Sequence, residues 1–243
     1  MLKESSFKHQ TRKDLAMDDK EAIWTGEKDR YVRIERQAEE AIKRGDYASA
    51  DVARLSGYIS RLKEEDRMNS LPTLLKAVAC AQNLKWGWKS LDHNQLDVLL
   101  AFLIGVRRNF PVVGAFLAST KELEAMATRE VNLAWSKSAK PHQIALAHIT
   151  KAQVLILQRI PTGAKTAIKS ALAFEGRIRL EHDQPQGLRQ LSRIFRKAGE
   201  LYQHPLLFDH NNPERSEEYL RKALALAEEV KAVDVVRDSA KLL

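Results

Sequence analysis

The most constraining feature of this chain is a helical spacing of apolar residues that starts, stops at a glycine or proline, and starts again. Tyr31, Ile34, Ala38 and Ala41 fall three and four apart and end at Gly45. After the Gly45-Asp46-Tyr47 turn, Ala48, Val52, Leu55, Ile59 and Leu62 form a second stripe of the same period. That period places each set on one face of a helix, and glycine is the usual residue just past a helix end. The short link makes the two helices antiparallel neighbours. Neither can bury its apolar face alone, so further helices must stack against the pair.

The pattern recurs along the chain. Leu71–Leu84 and Leu96–Val106 are apolar stretches separated by KWGWKSLDHN, and Pro111 and Pro141 each open another long segment. Proline is tolerated in a first helical turn because its missing N–H would have no partner there. Pro161 separates a helix ending near Gln158 from one over Lys165–Ile178, and Pro185 with Gly187 marks the next break. Leu188, Leu191, Phe195, Ala198 and Tyr202 share one face. Leu220, Ala223, Leu224, Ala227 and Val230 share another, after an Asn212-Pro213 start, and a final short helix covers Lys231–Leu242. Strand-like alternation with hairpin turns is missing, and 10 Gly and 7 Pro in 243 residues are too few for a turn-dense β fold. The expectation is an all-α array of about eight to ten helices. It has a polar tail or loose helix over residues 1–27 and a single repeat domain over 28–243.

Two of the helix pairs resemble the tetratricopeptide repeat, a unit of about 34 residues in which small and large side chains alternate where paired helices meet. Over 31–62 the matching residues are Ile34, Ala38, Ala41, Gly45, Tyr47 and Ala50. Arg54 and Gly57 depart, standing where an aromatic residue and an alanine belong. Over 192–224, Phe195, Ala198, Gly199 and Tyr202 look like a first helix and Leu220, Ala223 and Leu224 like a second, with about five extra residues in the HPLLFDHNN loop. Ile144–Phe174, rich in alanine, is a third and degenerate unit. The resemblance covers about half the chain. It implies antiparallel pairs stacked as an α-solenoid or right-handed superhelix, whose inner face binds a protein or peptide and performs no catalysis.

Charge is unevenly placed. The chain carries a net +8, yet residues 1–70 balance at 15 basic and 15 acidic side chains. Residues 71–208 hold 19 basic against 9 acidic, and residues 209–243 hold 6 against 8. Arg189, Arg193, Arg196 and Lys197 make a basic stripe beside the apolar face of their helix. The resemblance implies that Arg193, Arg196, Glu200 and Gln203 face the concave groove. An acidic peptide, a carboxylate or a phosphate suits such a stripe, although a solvated outer face has the same composition. Lys165, Lys169, Arg177 and Arg179 add charge on the preceding helix.

Lys85-Trp86-Gly87-Trp88-Lys89 allows bases to stack on tryptophan while lysine holds phosphate, or tryptophans to plug a gap between helices. The alternative partner is therefore nucleic acid, contacted by Lys85, Trp86, Trp88, Lys89, Lys165 and Lys169.

Catalytic signatures are missing: no HExxH, paired CxxC or GxGxxG occurs. His204, Asp209, His210 and Glu214 cluster in a loop whose turn and cap residues explain themselves, which leaves no cofactor or metal to expect. His204 and Glu214 are also where an enzyme of unfamiliar type would have its site. Cys80, the single cysteine, sits in an apolar helix as a small hydrophobe. The N-terminus has no signal-like apolar core. The longest apolar run, Val98–Val106, rises only about 14 Å against a hydrocarbon layer of about 30 Å. A cytoplasmic protein outside the membrane is the expectation, with 98–119 either packed as core or forming a seam between copies.

Overall fold

The computed structural model describes residues 32–64, 70–136, 139–181, 184–207 and 212–243. Their regular structure is all helical, with no strand among them. The 1–27 segment lies outside the described residues. Contacts divide the described residues into two compact units, one ending at Leu84 and the other covering Lys85–Leu243.

In the first unit, helix α1 (residues 32–43) turns at Gly45 into α2 (Tyr47–Glu64), and α3 (Ser70–Trp86) follows. Gly45 has φ +75°, a conformation costly for any residue with a Cβ. Asp46 accepts the Ser49 backbone N–H at 3.0 Å and so caps α2. Ala38, Ala41 and Ala50 form the buried contact between the first two helices. The two departures from the repeat pattern have local reasons. Arg54 reaches Glu35 across the pair at 3.3 Å. Gly57 leaves room for Ile34, which a Cβ would meet at 3.2 Å. Asn83 of α3 donates to Asp51 of α2 at 3.2 Å.

The second unit is a succession of packed neighbours: α4 (His93–Asn109), α5 (Pro111–Leu117), α6 (Thr120–Ser136), α7 (Pro141–Leu157), α8 (Pro161–Leu172), α9 (Glu175–Glu181), α10 (Gln184–Tyr202), α11 (Asn212–Glu229) and α12 (Val233–Ala240). Helix α4 packs on α5 and α6, α6 on α7, α7 on α8, α9 on α10, α10 on α11 and α11 on α12, and α10 also packs on α7. One continuous core runs from Val131 to Leu226, built largely of alanine and leucine with Ile149, Phe174, Phe195 and Tyr202. The alanines of the Ile144–Phe174 segment are its close-packed centre: Ala145, Ala152, Ala164 and Ala171 are fully buried. Pro111, Pro141 and Pro161 each occupy a first helical turn.

Three boundaries differ from the sequence reading. Pro111 opens only a seven-residue helix, because Ala118 is extended and Ser119 starts α6 anew. Ser119 and Glu122 cap that start reciprocally: the Ser119 N–H donates to the Glu122 carboxylate at 2.8 Å, and Ser119 Oγ accepts the Glu122 N–H at 3.2 Å. Lys165–Ile178 is not one helix. It breaks at Ala173-Phe174, where the buried Phe174 ring contacts Trp135 at 5.4 Å. Pro185 and Gly187 lie inside the first turn of α10 instead of separating two helices, a place where proline costs no hydrogen bond.

No helix among the described residues is long and apolar enough to cross a membrane.

Candidate functional site

The basic stripe of α10 is built into the second unit more deeply than a solvated face would be. Arg189 and Gln203 are exposed, but Arg193, Arg196, Lys197 and Glu200 are half-buried. Glu200 lies 3.1 Å from Arg108 of α4 and 3.7 Å from Arg196, one turn back on its own helix. Gln203 donates to the Leu242 carbonyl at 2.8 Å and ties the chain end to α10. Lys197 acts inward, on two carboxylates that sequence reasoning missed. Loss of solvent raises Asp97 of α4 from its ordinary value and Glu130 of α6 well above its own, and the Lys197 charge opposes both rises. Glu130 is 3% exposed and its Oε2 has no hydrogen-bond partner. Its place on the apolar side of α6, between Ala127 and Ala134, is the signal that could have found it.

Lys165 is half-buried and Lys169 exposed on α8, while Arg177 and Arg179 belong to α9. Arg179 is paired with Glu175 at 3.0 Å. The four do not share a helix, so they form no continuous stripe along one. Glu214 lies in the first turn of α11. Asp209 and His210 are outside the described residues, and no group of three potential metal ligands exists among those described.

The KWGWK segment is a fixed turn. Lys85 Nζ donates to the Leu117 carbonyl at the end of α5 at 2.6 Å and contacts Glu122 at 3.2 Å. The Ser119 backbone N–H, first, and then the Ser119 hydroxyl and Lys85 hold the Glu122 carboxyl below its ordinary range. Trp88–Ser90 form a single 3₁₀ turn, with the Ser90 hydroxyl donating to the Gly87 carbonyl at 2.7 Å. Asp92 and Gln95 then close a capping box on α4. Both ends of the turn are therefore anchored, and Trp86 does not fill a gap between helices. Trp86 is 92% exposed and Trp88 half-buried.

Next to this turn, α5 presents its apolar side chains outward. Val112 and Phe116, one helical turn apart, are 85% and 83% exposed, while only Gly114 and Leu117 face inward. Gly114 lies so close to α4 that a Cβ would sit 2.4 Å from the Arg107 Cα. The short helix is clamped down by its small residue, which leaves the large ones in solvent. Of the two expected apolar segments, α4 is core and α5 is surface.

No family model matches the chain, and no curated protein matches it. Among solved structures, the crystal structure of BtubC (BKLC) from P. vanneervenii is similar at 13% identity, with 89% of this chain and 88% of that chain covered and a TM-score of 0.45.

Proposed function

We propose that this chain is a non-catalytic, tetratricopeptide-like helical-repeat protein that binds a protein or peptide partner with acidic character. The observation that supports this reading is the outward apolar face of α5. Val112 and Phe116 stand clear of a helix that is itself rigidly held, and Lys85 keeps the exposed Trp86 beside its end. Large apolar side chains grouped on a surface mark contact sites. Their surroundings favour an acidic partner, because the stretch from Val98 to Lys121 holds Arg107, Arg108 and Lys121 and no carboxylate. The same charges disfavour a second copy of this chain, since symmetric pairing would oppose like charges. Phosphate tracking is less well served, because Lys85 is already neutralised by Glu122.

The test is an affinity capture with the full chain after nuclease treatment, run beside Phe116→Ser. Proteins retained by the wild type and lost by the variant, at unchanged melting temperature, support the reading. Recovery that vanishes with nuclease overturns it in favour of nucleic acid.

A further inference from the structure

Beside the anchored turn lies a groove of about 490 Å³, lined by Trp88 and Lys89 on one side and by Ala125, Arg129, Asn132 and Leu133 of α6 on the other. Its lining includes two cations and no carboxylate. Arg129 is half-buried along this groove, and its Nε is buried without a hydrogen-bond partner. The guanidinium edge formed by its two terminal nitrogens matches a carboxylate with two parallel hydrogen bonds. Trp88 and Leu133 offer apolar surface next to that edge.

We infer that this groove is a subsite for an acidic side chain of a bound peptide, with its carboxylate on Arg129 and a neighbouring apolar side chain against Trp88 and Leu133. The inference rests on the partner-binding reading above and adds to it the residue chemistry that selects the partner. Lys89 supports the charge from the rim. A nucleic-acid strand fits less well, since a polyanion needs cations in file and the adjacent Lys85 is bound to Glu122.

The experiment presents the full chain with two libraries of random decapeptides blocked at both ends, one with a fixed central Glu and one with Gln. Wild type, Arg129→Gln, Arg129→Lys and Phe116→Ser are compared, each first shown to melt like the wild type. The wild type should retain the Glu library about tenfold better, the scale of one charge-assisted pair. Arg129→Gln should abolish the preference, and Arg129→Lys, which keeps the charge without the fork, should weaken it. Phe116→Ser should lower retention of both libraries without changing their ratio. Equal retention of the two libraries by the wild type overturns the subsite. So does a Glu preference that survives Arg129→Gln. In either case, retention that still depends on Phe116 leaves the partner-binding reading standing. If neither library is retained, both readings fall. An oligothymidylate that binds through Arg129 while the Glu and Gln libraries are held equally would assign the groove to phosphate and overturn the inference.

Discussion

Gly199 and Leu220 hold α10 and α11 closer together than any side chain at position 199 would permit. A Cβ on Gly199 would lie 2.7 Å from Leu220 Cγ and 3.1 Å from the Ser216 carbonyl. Across the same contact, the Ser216 hydroxyl donates to the Gly199 carbonyl at 2.9 Å, in a buried position. The glycine is thus where the two helices cross.

Replacing it should destabilise the protein even though alanine is the better helix former. Gly199→Ala gains about 1 kcal/mol of helix propensity, but overpacking a filled contact costs typically 1–3 kcal/mol. Gly105 is the internal control, because a Cβ there meets nothing within 4 Å. Gly105→Ala should stabilise by about 0.5–1 kcal/mol. Denaturant titration of both variants decides the matter, and shifts of the same sign would mean that the crossing is looser than described.

Glu130 predicts a pH dependence whose sign follows from its burial. Its carboxyl is held well above the ordinary 4.5, by loss of solvent first and by Asp97 second, with Lys197 opposing. The folded chain keeps this proton where the unfolded chain has lost it. The associated stability is therefore full below about pH 4.5 and declines as pH rises from there through the folded-state value. Glu130→Gln cannot ionise and escapes this linkage, so it should be more stable relative to the wild type at pH 7 than at pH 4. Thermal melts of both proteins from pH 4 to 8 test it; a difference independent of pH would place the effect elsewhere.

Cys80 should be an unreactive thiol. Burial, and then the charge of Asp51, push it up to about 11 from an ordinary 9.0. The thiolate is the reactive form, so alkylation by iodoacetamide at pH 8 should run about a hundredfold slower than for a free thiol, until the protein is unfolded. Rapid labelling under native conditions would contradict the packing of Cys80 in α3.

Much of the fold was legible because helical period and breaking residues are local properties. The stripes from Ala38 to Leu55 and from Leu188 to Ala227 reappear as buried faces, and Gly45, Pro141 and Pro161 stand at helix ends or starts. Of the misplaced boundaries, two fall where no glycine or proline announces the change, and one where Pro185 and Gly187 sit inside a first helical turn. Ala173-Phe174 ends a helix at a buried ring, and Ser119 begins one through a reciprocal cap.

The candidate site was less legible, because exposure is not a local property. By itself, the sequence determined which residues could line a helix face, where the positive charge concentrates, and that KWGWK interrupts two apolar helices. Only tertiary packing decided which face looks outward. It buried Glu130 on the apolar side of α6 and half-buried Lys197 among carboxylates. It also clamped Gly114 onto Arg107, so that Val112 and Phe116 remained in solvent. The physical reason is that one helix has several faces of similar composition, and which is covered depends on neighbours far away in the chain.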